Sequence, residues 1–174
     1  MASIRERTKQ DGTKVFHVQV RMTGYPARTA SFSTERAAKR WAKVIEALGG
    51  KVEKSLDQVR QQAPDARIVF VGYPRVLPET GPCAKVDLPP VAFARLRTTM
   101  RLVNETLKSV AAKANVEYID MYTASAGHDA CSADPWVNGS KPTKAASAYH
   151  PFEAYHQAVA AKIVALLKTK KPQA

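Results

Sequence analysis

Residues 116–139 read V-E-Y-I-D-M-Y-T-A-S-A-G-H-D-A-C-S-A-D-P-W-V-N-G, and Y-H-P follows at 149–151. Val116, Tyr118, Ile119 and Met121 make a short β-branched, aromatic and apolar run, which suits a buried strand. Behind it Gly127, Pro135, Asn138, Gly139 and Pro142 recur at spacings that neither a helix nor a strand accommodates, so the pattern predicts a long loop. Loops of that length in compact domains usually carry function. His150 stands where the loop ends and a last helix begins, its apolar face running from Tyr155 or Val159 to Leu167.

Working outward, residues 67–73 read as another buried-type strand, and residues 76–90 hold four prolines among loop residues. Between the strands, Phe93, Leu96, Met100, Val103, Leu107, Val110, Ala111 and Ala114 mark one face of a long amphipathic helix. A helix joining two strands in this way predicts a right-handed crossover and a parallel pair.

S-A-G-H-D-A-C, D-P-W-V-N-G and H-P, together with A-R-I-V-F-V-G-Y-P-R at 66–75, L-P at 77–78 and Cys83, resemble the C-terminal part of an SGNH (GDSL-type) esterase or lipase. The resemblance covers about residues 53–167. It implies a partial α/β parallel sheet of flavodoxin-like type, a serine nucleophile and His150 as general base. Many members place an aspartate three residues before the histidine; Ser147 stands there, so a backbone carbonyl is expected to orient the ring. Cys83 and Cys131 resemble a family disulfide pair, expected to stay as thiols in a reducing cytoplasm. The family's serine lies in a G-D-S motif and its oxyanion donors include the asparagine of G-x-N-D; residues 1–66 contain none of these. What remains resembles about two strands of a fold that normally has five, with an unpaired apolar edge open to self-association. His128 and His156 read as packing residues, because no carboxylate or cysteine set accompanies them at ligand spacing.

Charge is uneven along the 174 residues: residues 1–50 carry ten basic and four acidic side chains, a balance of +6, and residues 51–174 seventeen and eleven, again +6. The density at the front is more than twice that behind, and the overall balance of +12 favours polyanionic partners or simply good solubility. Residues 3–8 and 15–22 alternate about Asp11-Gly12, a strong hairpin signal, and residues 27–32 supply a third strand after a turn at 23–26. Ser33 or Thr34 can cap a helix running to Leu48, with Gly49-Gly50 past its end as the joint between a 1–50 domain and a 51–174 domain; residues 51–62 continue in helical character until Pro64 stops them. The fold class expected is therefore α+β, a three-stranded antiparallel sheet plus helix, followed by the partial α/β sheet.

Residues 2–47 also resemble the N-terminal arm-type DNA-binding domain of phage-like tyrosine integrases, which makes Arg5, Arg7, Lys14, His17, Gln19, Arg21, Arg28, Thr29 and Ser31 candidate contacts to duplex DNA. The main reading is thus a DNA-binding module on a non-catalytic hydrolase remnant. The alternative is an ester hydrolase using His150 with a surrogate serine, Ser125 or Ser147, or one supplied by a partner chain. No cofactor or metal is called for. No run is apolar enough to span a bilayer and no secretory core is evident, so the expected location is cytoplasmic.

Overall fold

The computed structural model describes residues 1–23 and 27–169. The turn expected at 23–26 and the basic tail at 168–174 fall largely outside them. The chain divides into two compact units. One comprises residues 1–66 with 105–114, the other residues 67–104 with 115–174.

In the first unit, β1 (Ala2–Thr8), β2 (Lys14–Val20) and β3 (Arg28–Phe32) form an antiparallel sheet in the order β1-β2-β3. The hairpin closes at Gly12, whose φ of 78° is one that a side chain resists, while the Asp11 carboxylate accepts the Thr13 amide at 2.9 Å. That amide holds Asp11 below its ordinary carboxyl range. Alternation buries Val18 and Val20 against α1 (Glu35–Gln62), where Ala38, Trp41, Ala42 and Ile45 meet them, and the Phe32 and Trp41 rings lie 5.8 Å apart.

Thr34 caps α1 by accepting the Ala37 amide, and Glu35 pairs with Lys39 one turn on. The helix does not stop at Gly49-Gly50. It runs unbroken to Gln62, because residues 51–62 are good helix formers and the first true breaker is Pro64. Leu56, on that extension, is buried, as are Leu107, Val110 and Ala111 from the end of α2 (Pro90–Lys113). Lys113–Glu53 at 2.7 Å and Arg28–Glu105 at 2.7 Å tie the same unit, and the Arg60 guanidinium donates to the Ala114 carbonyl.

The second unit is built on β4 (Val69–Val71) and β5 (Glu117–Ile119), paired in parallel with Val69 opposite Glu117. The parallel pair and the crossover through α2 match the alternation of strand and helix patterns; the extended segments are three residues each, shorter than the apolar runs. Met121 leaves the strand to enter α3 (Met121–Ala124), capped by Asp120, whose carboxylate accepts the Thr123 amide at 3.0 Å. Ile119, Met121 and Tyr155 form one apolar cluster with Val159 and Ile163 of α4 (Glu153–Leu167). A second cluster gathers Val76, Leu77, Val86, Phe93, Ala130 and Val137 under the loops.

Arg67 fastens the ends of this unit. It grips Glu117 with two nitrogens at 2.6 and 2.7 Å and donates to the Leu166 and Thr169 carbonyls that close α4. The hydrogen bonds from Arg67 lower the Glu117 pKa.

Candidate active site

Parallel sheets present their ligand sites beyond the carboxyl ends of the strands. Here β4 runs into Gly72-Tyr73-Pro74-Arg75 and β5 into Asp120 and α3. Gly72 extends the pairing by donating its amide to the Ile119 carbonyl at 3.0 Å, and its own carbonyl accepts the Tyr155 hydroxyl at 2.9 Å. A Cβ at this position would run into the Tyr118 hydroxyl and the Asn104 side-chain oxygen, so close approach is what requires glycine. Burial pushes the Tyr155 and Tyr118 phenols up to about 12. Neither hydroxyl is an acid at neutral pH.

Next along, the Tyr73 amide is held by the Asn104 oxygen at 2.8 Å, and the Tyr73 side chain is 58% exposed. The Arg75 guanidinium lies over the Tyr122 ring, 4.9 Å from its centroid, and bonds Glu79 at 3.0 Å. Ser125 is fully buried; its Oγ accepts the Arg75 amide at 2.7 Å and donates to the Tyr122 carbonyl at 3.5 Å. Both of those partners are backbone groups. The hydroxyl stitches two loops together, which removes Ser125 as a nucleophile for an external ester.

His150 sits on the solvent side of the long loop, beside an isolated bridge between Val137 and Pro151. The Asn138 amide donates to the His150 carbonyl at 3.0 Å and the Phe152 amide to the Trp136 carbonyl at 3.1 Å, so the backbone on both sides of the ring is clamped. Nδ1 lies 2.8 Å from the Ala148 carbonyl oxygen. A carbonyl can only accept, so Nδ1 carries a proton, and in the neutral ring Nε2 is the nitrogen with the free lone pair. The orienting carbonyl thus belongs to Ala148; the expected Ser147 carbonyl instead accepts the His150 amide at 3.1 Å. The Ser147 side chain is exposed. Among the described residues no serine hydroxyl bonds the imidazole.

The other histidines have structural surroundings. His128 stacks on Trp136 at 3.9 Å, nearly parallel, with Nδ1 on the Asp134 carbonyl, and His156 meets the edge of Tyr155. Among the described residues no group of three or more histidine, cysteine, aspartate or glutamate side chains could hold a metal ion. Cys83 and Cys131 form a disulfide, which corrects the expectation of free thiols: their Cα atoms lie 5.9 Å apart, within bridging reach. Cys83 of the bridge lines a cavity of about 520 Å³ with Lys85, Asp87, Val137 and Lys141.

The candidate DNA contacts do not share one face. Arg5, Arg7, His17, Gln19, Thr29 and Ser31 lie on the side of the sheet away from α1, with His17 Nδ1 and Ser31 Oγ 2.9 Å apart. Lys14 and Arg28 have the opposite strand parity, Lys14 paired with Glu6 at 2.8 Å and Arg28 with Glu105. The Glu6 hydrogen bond raises the Lys14 pKa. Arg21 lies beyond β2, its amide on the Met1 carbonyl.

Comparison with known proteins identifies the frame. The GDSL-like Lipase/Acylhydrolase family matches residues 30–158. An esterase of Streptomyces scabiei is 30% identical over 65% of this chain and 36% of its own length; a lipase of Streptomyces rimosus is 31% identical over 67% and 42%. Among solved structures, phospholipase A1 from Streptomyces albidoflavus NA297 superposes with a TM-score of 0.63 at 29% identity, covering 71% of this chain and 52% of that one. An extracellular lipase from Streptomyces rimosus gives a TM-score of 0.55 at 29% identity, covering 63% and 46%. The chain spans roughly a third to a half of the length of the curated relatives it matches.

These matches overturn the reading of the chain as a duplex-DNA-binding module on a non-catalytic remnant. The family match begins at Ala30, inside the segment that resembles an integrase arm, and takes in all of α1. The relatives are esterases and lipases, and nothing supports an integrase domain or a chimera. With the match running over most of its length, the chain belongs to the GDSL-like Lipase/Acylhydrolase family.

Proposed function

We propose that this chain is the histidine-bearing part of an SGNH-type carboxylic ester hydrolase, with His150 as general base. The observation that carries the reading is the 2.8 Å bond from Nδ1 to the Ala148 carbonyl, which leaves Nε2 able to take a proton. In the reaction a serine Oγ attacks the ester carbonyl as its proton passes to Nε2. The imidazolium returns that proton to the departing alcohol, and water repeats the sequence on the acyl-serine. Ser125 is sealed in backbone bonds, so a serine on a segment outside these residues fits better than Ser125 as the nucleophile. The parallel pair of two strands, each three residues long, offers outer edges where such a segment would add.

Two observations favour an oxidising compartment over the cytoplasm expected from the sequence: the Cys83–Cys131 disulfide, and the extracellular origin of a structural neighbour. Among the described residues no helix is long and apolar enough to cross a membrane.

The test is hydrolysis of a short-chain nitrophenyl ester by the full chain, alone and co-expressed with a segment carrying the G-D-S serine, with a fluorophosphonate probe to report any activated serine. We expect turnover and labelling in the mixture, reduced about 10³-fold or more by His150→Ala. Absence of both turnover and labelling in either preparation would refute the proposal.

A further inference from the structure

Asn138 stands out in the long loop as a polar side chain with 1% of its surface exposed. Its carboxamide is fully used. Oδ1 accepts the amides of Thr143 at 3.1 Å and Lys144 at 3.2 Å; Nδ2 donates to the carbonyls of Lys144 at 3.1 Å and Ala146 at 2.9 Å, with the Ser147 carbonyl at 3.5 Å. Two amides converge on one end and carbonyls on the other, so the orientation of the group is dictated by its partners. Its backbone amide reaches the His150 carbonyl at 3.0 Å. One residue therefore holds the turn from Thr143 to Ser147 and also the backbone of the histidine that follows it.

The chain between those two attachments is short and bent. Tyr149 adopts a φ of 59°, a left-handed conformation rare for a tyrosine, and its amide is fixed on the Gly139 carbonyl at 3.1 Å. That kink turns the Ala148 carbonyl back toward the ring of His150, two residues on. The Ala148 carbonyl stays at Nδ1 only while the turn before it and the histidine backbone after it keep a fixed separation. The Asn138 side chain and backbone amide together set that separation.

We infer that Asn138 is a positioning residue that selects the Nδ1–H tautomer of His150 by holding the 143–147 turn, and with it the Ala148 carbonyl, against the ring. The inference rests on the reading of His150 as the base. Asn138 touches no substrate and moves no proton. Aspartate in its place keeps the acceptor for the Thr143 and Lys144 amides but loses both donors to the turn.

The experiment compares the full chain with Asn138→Asp, Asn138→Ala and Ser140→Ala by long-range ¹⁵N–¹H correlation on the neutral histidine ring. Ser140 also clamps this loop, its Oγ donating to the Lys85 carbonyl at 3.0 Å and accepting the Asp87 amide at 3.1 Å, but it has no bond to the turn. We expect wild type and Ser140→Ala to show Nδ1–H, and Asn138→Asp, confirmed as folded by circular dichroism, to show Nε2–H as the majority form. In the complemented esterase assay, kcat of Asn138→Asp should fall about 100-fold, with KM within about twofold. An unchanged tautomer in a folded Asn138→Asp, or an equal shift in Ser140→Ala, overturns the inference. A shifted tautomer in a chain that never hydrolyses esters would instead retire the proposed function and leave the role of Asn138 in place.

Discussion

The sheet and helix of residues 1–62 and the loop of residues 125–152 solve the same problem by opposite means. In the first, apolar positions recur with the period of the element, and Val18, Val20, Trp41 and Ile45 are buried by that recurrence. In the second, regular structure is absent. Order comes from one disulfide, glycine at a close approach, and backbone bonds between residues far apart in the chain. Periodic burial tolerates many substitutions; a web of single contacts concentrates stability in a few residues.

Removing the disulfide is the most severe way to break that contrast. Cys83 and Cys131 are 48 residues apart, so a Cys83→Ser/Cys131→Ser variant should lose about 4 kcal/mol, measured by urea unfolding. A loss under about 1 kcal/mol would mean that the loop is held without its staple.

Gly139→Ala comes next. An added Cβ would overlap the Lys85 carbonyl oxygen, which accepts both the amide and the hydroxyl of Ser140. A cost of about 2–3 kcal/mol is expected in thermal unfolding. Gly50→Ala in α1 meets nothing within 4 Å and should do the reverse.

Much of the architecture was legible before any coordinates. The hairpin at Asp11-Gly12, the cap at Thr34, the amphipathic α2 and the parallel pair all follow from local chemistry and periodicity. The helical character of residues 51–62 and the stop at Pro64 were legible too, but the absence of a joint at Gly49-Gly50 was not. Two glycines look like a stop when read singly, yet the turns on both sides pack and outweigh their propensity cost of about 1 kcal/mol each. At the site, His150 could be found from its motif and its place at the end of the loop. Asn138 could be seen only as a turn-forming residue, because its partners at 143, 144 and 146 are backbone groups that carry no sequence signal.

Titration gives a finer contrast. The buried Tyr155 phenol, pushed up to about 12, stays protonated in the folded protein while the unfolded chain ionises near its ordinary value. Stability should therefore be intact below about pH 10 and fall as pH rises from there toward about 12, by about 2–3 kcal/mol for this group. Tyr155→Phe, with no phenol to ionise, should remove this group's share of that fall and leave the share of Tyr118. Glu117 works in the other direction. Its pKa is lowered by Arg67, so its contribution is present above the unfolded carboxyl value and is lost as pH falls through the folded one. An Arg67→Ala variant should lose that acid dependence in denaturant titrations between about pH 2 and 5.

The smallest expected effect is the gain from Gly50→Ala, about 1 kcal/mol or less in urea unfolding. Destabilisation there would show that α1 depends on glycine at that point and is not carried by its buried face.

By itself the sequence determined where most of the strands and helices and the long loop lie, and that a histidine closes that loop. Those features are written in residue types at short, regular intervals. Tertiary structure alone decided which carbonyl faces Nδ1, that Ser125 is spent on backbone bonds, and that Lys14 and Arg28 turn toward acidic partners. Each depends on a distance between groups that are not regularly spaced in the chain, and such a distance exists only once the backbone between them has been folded.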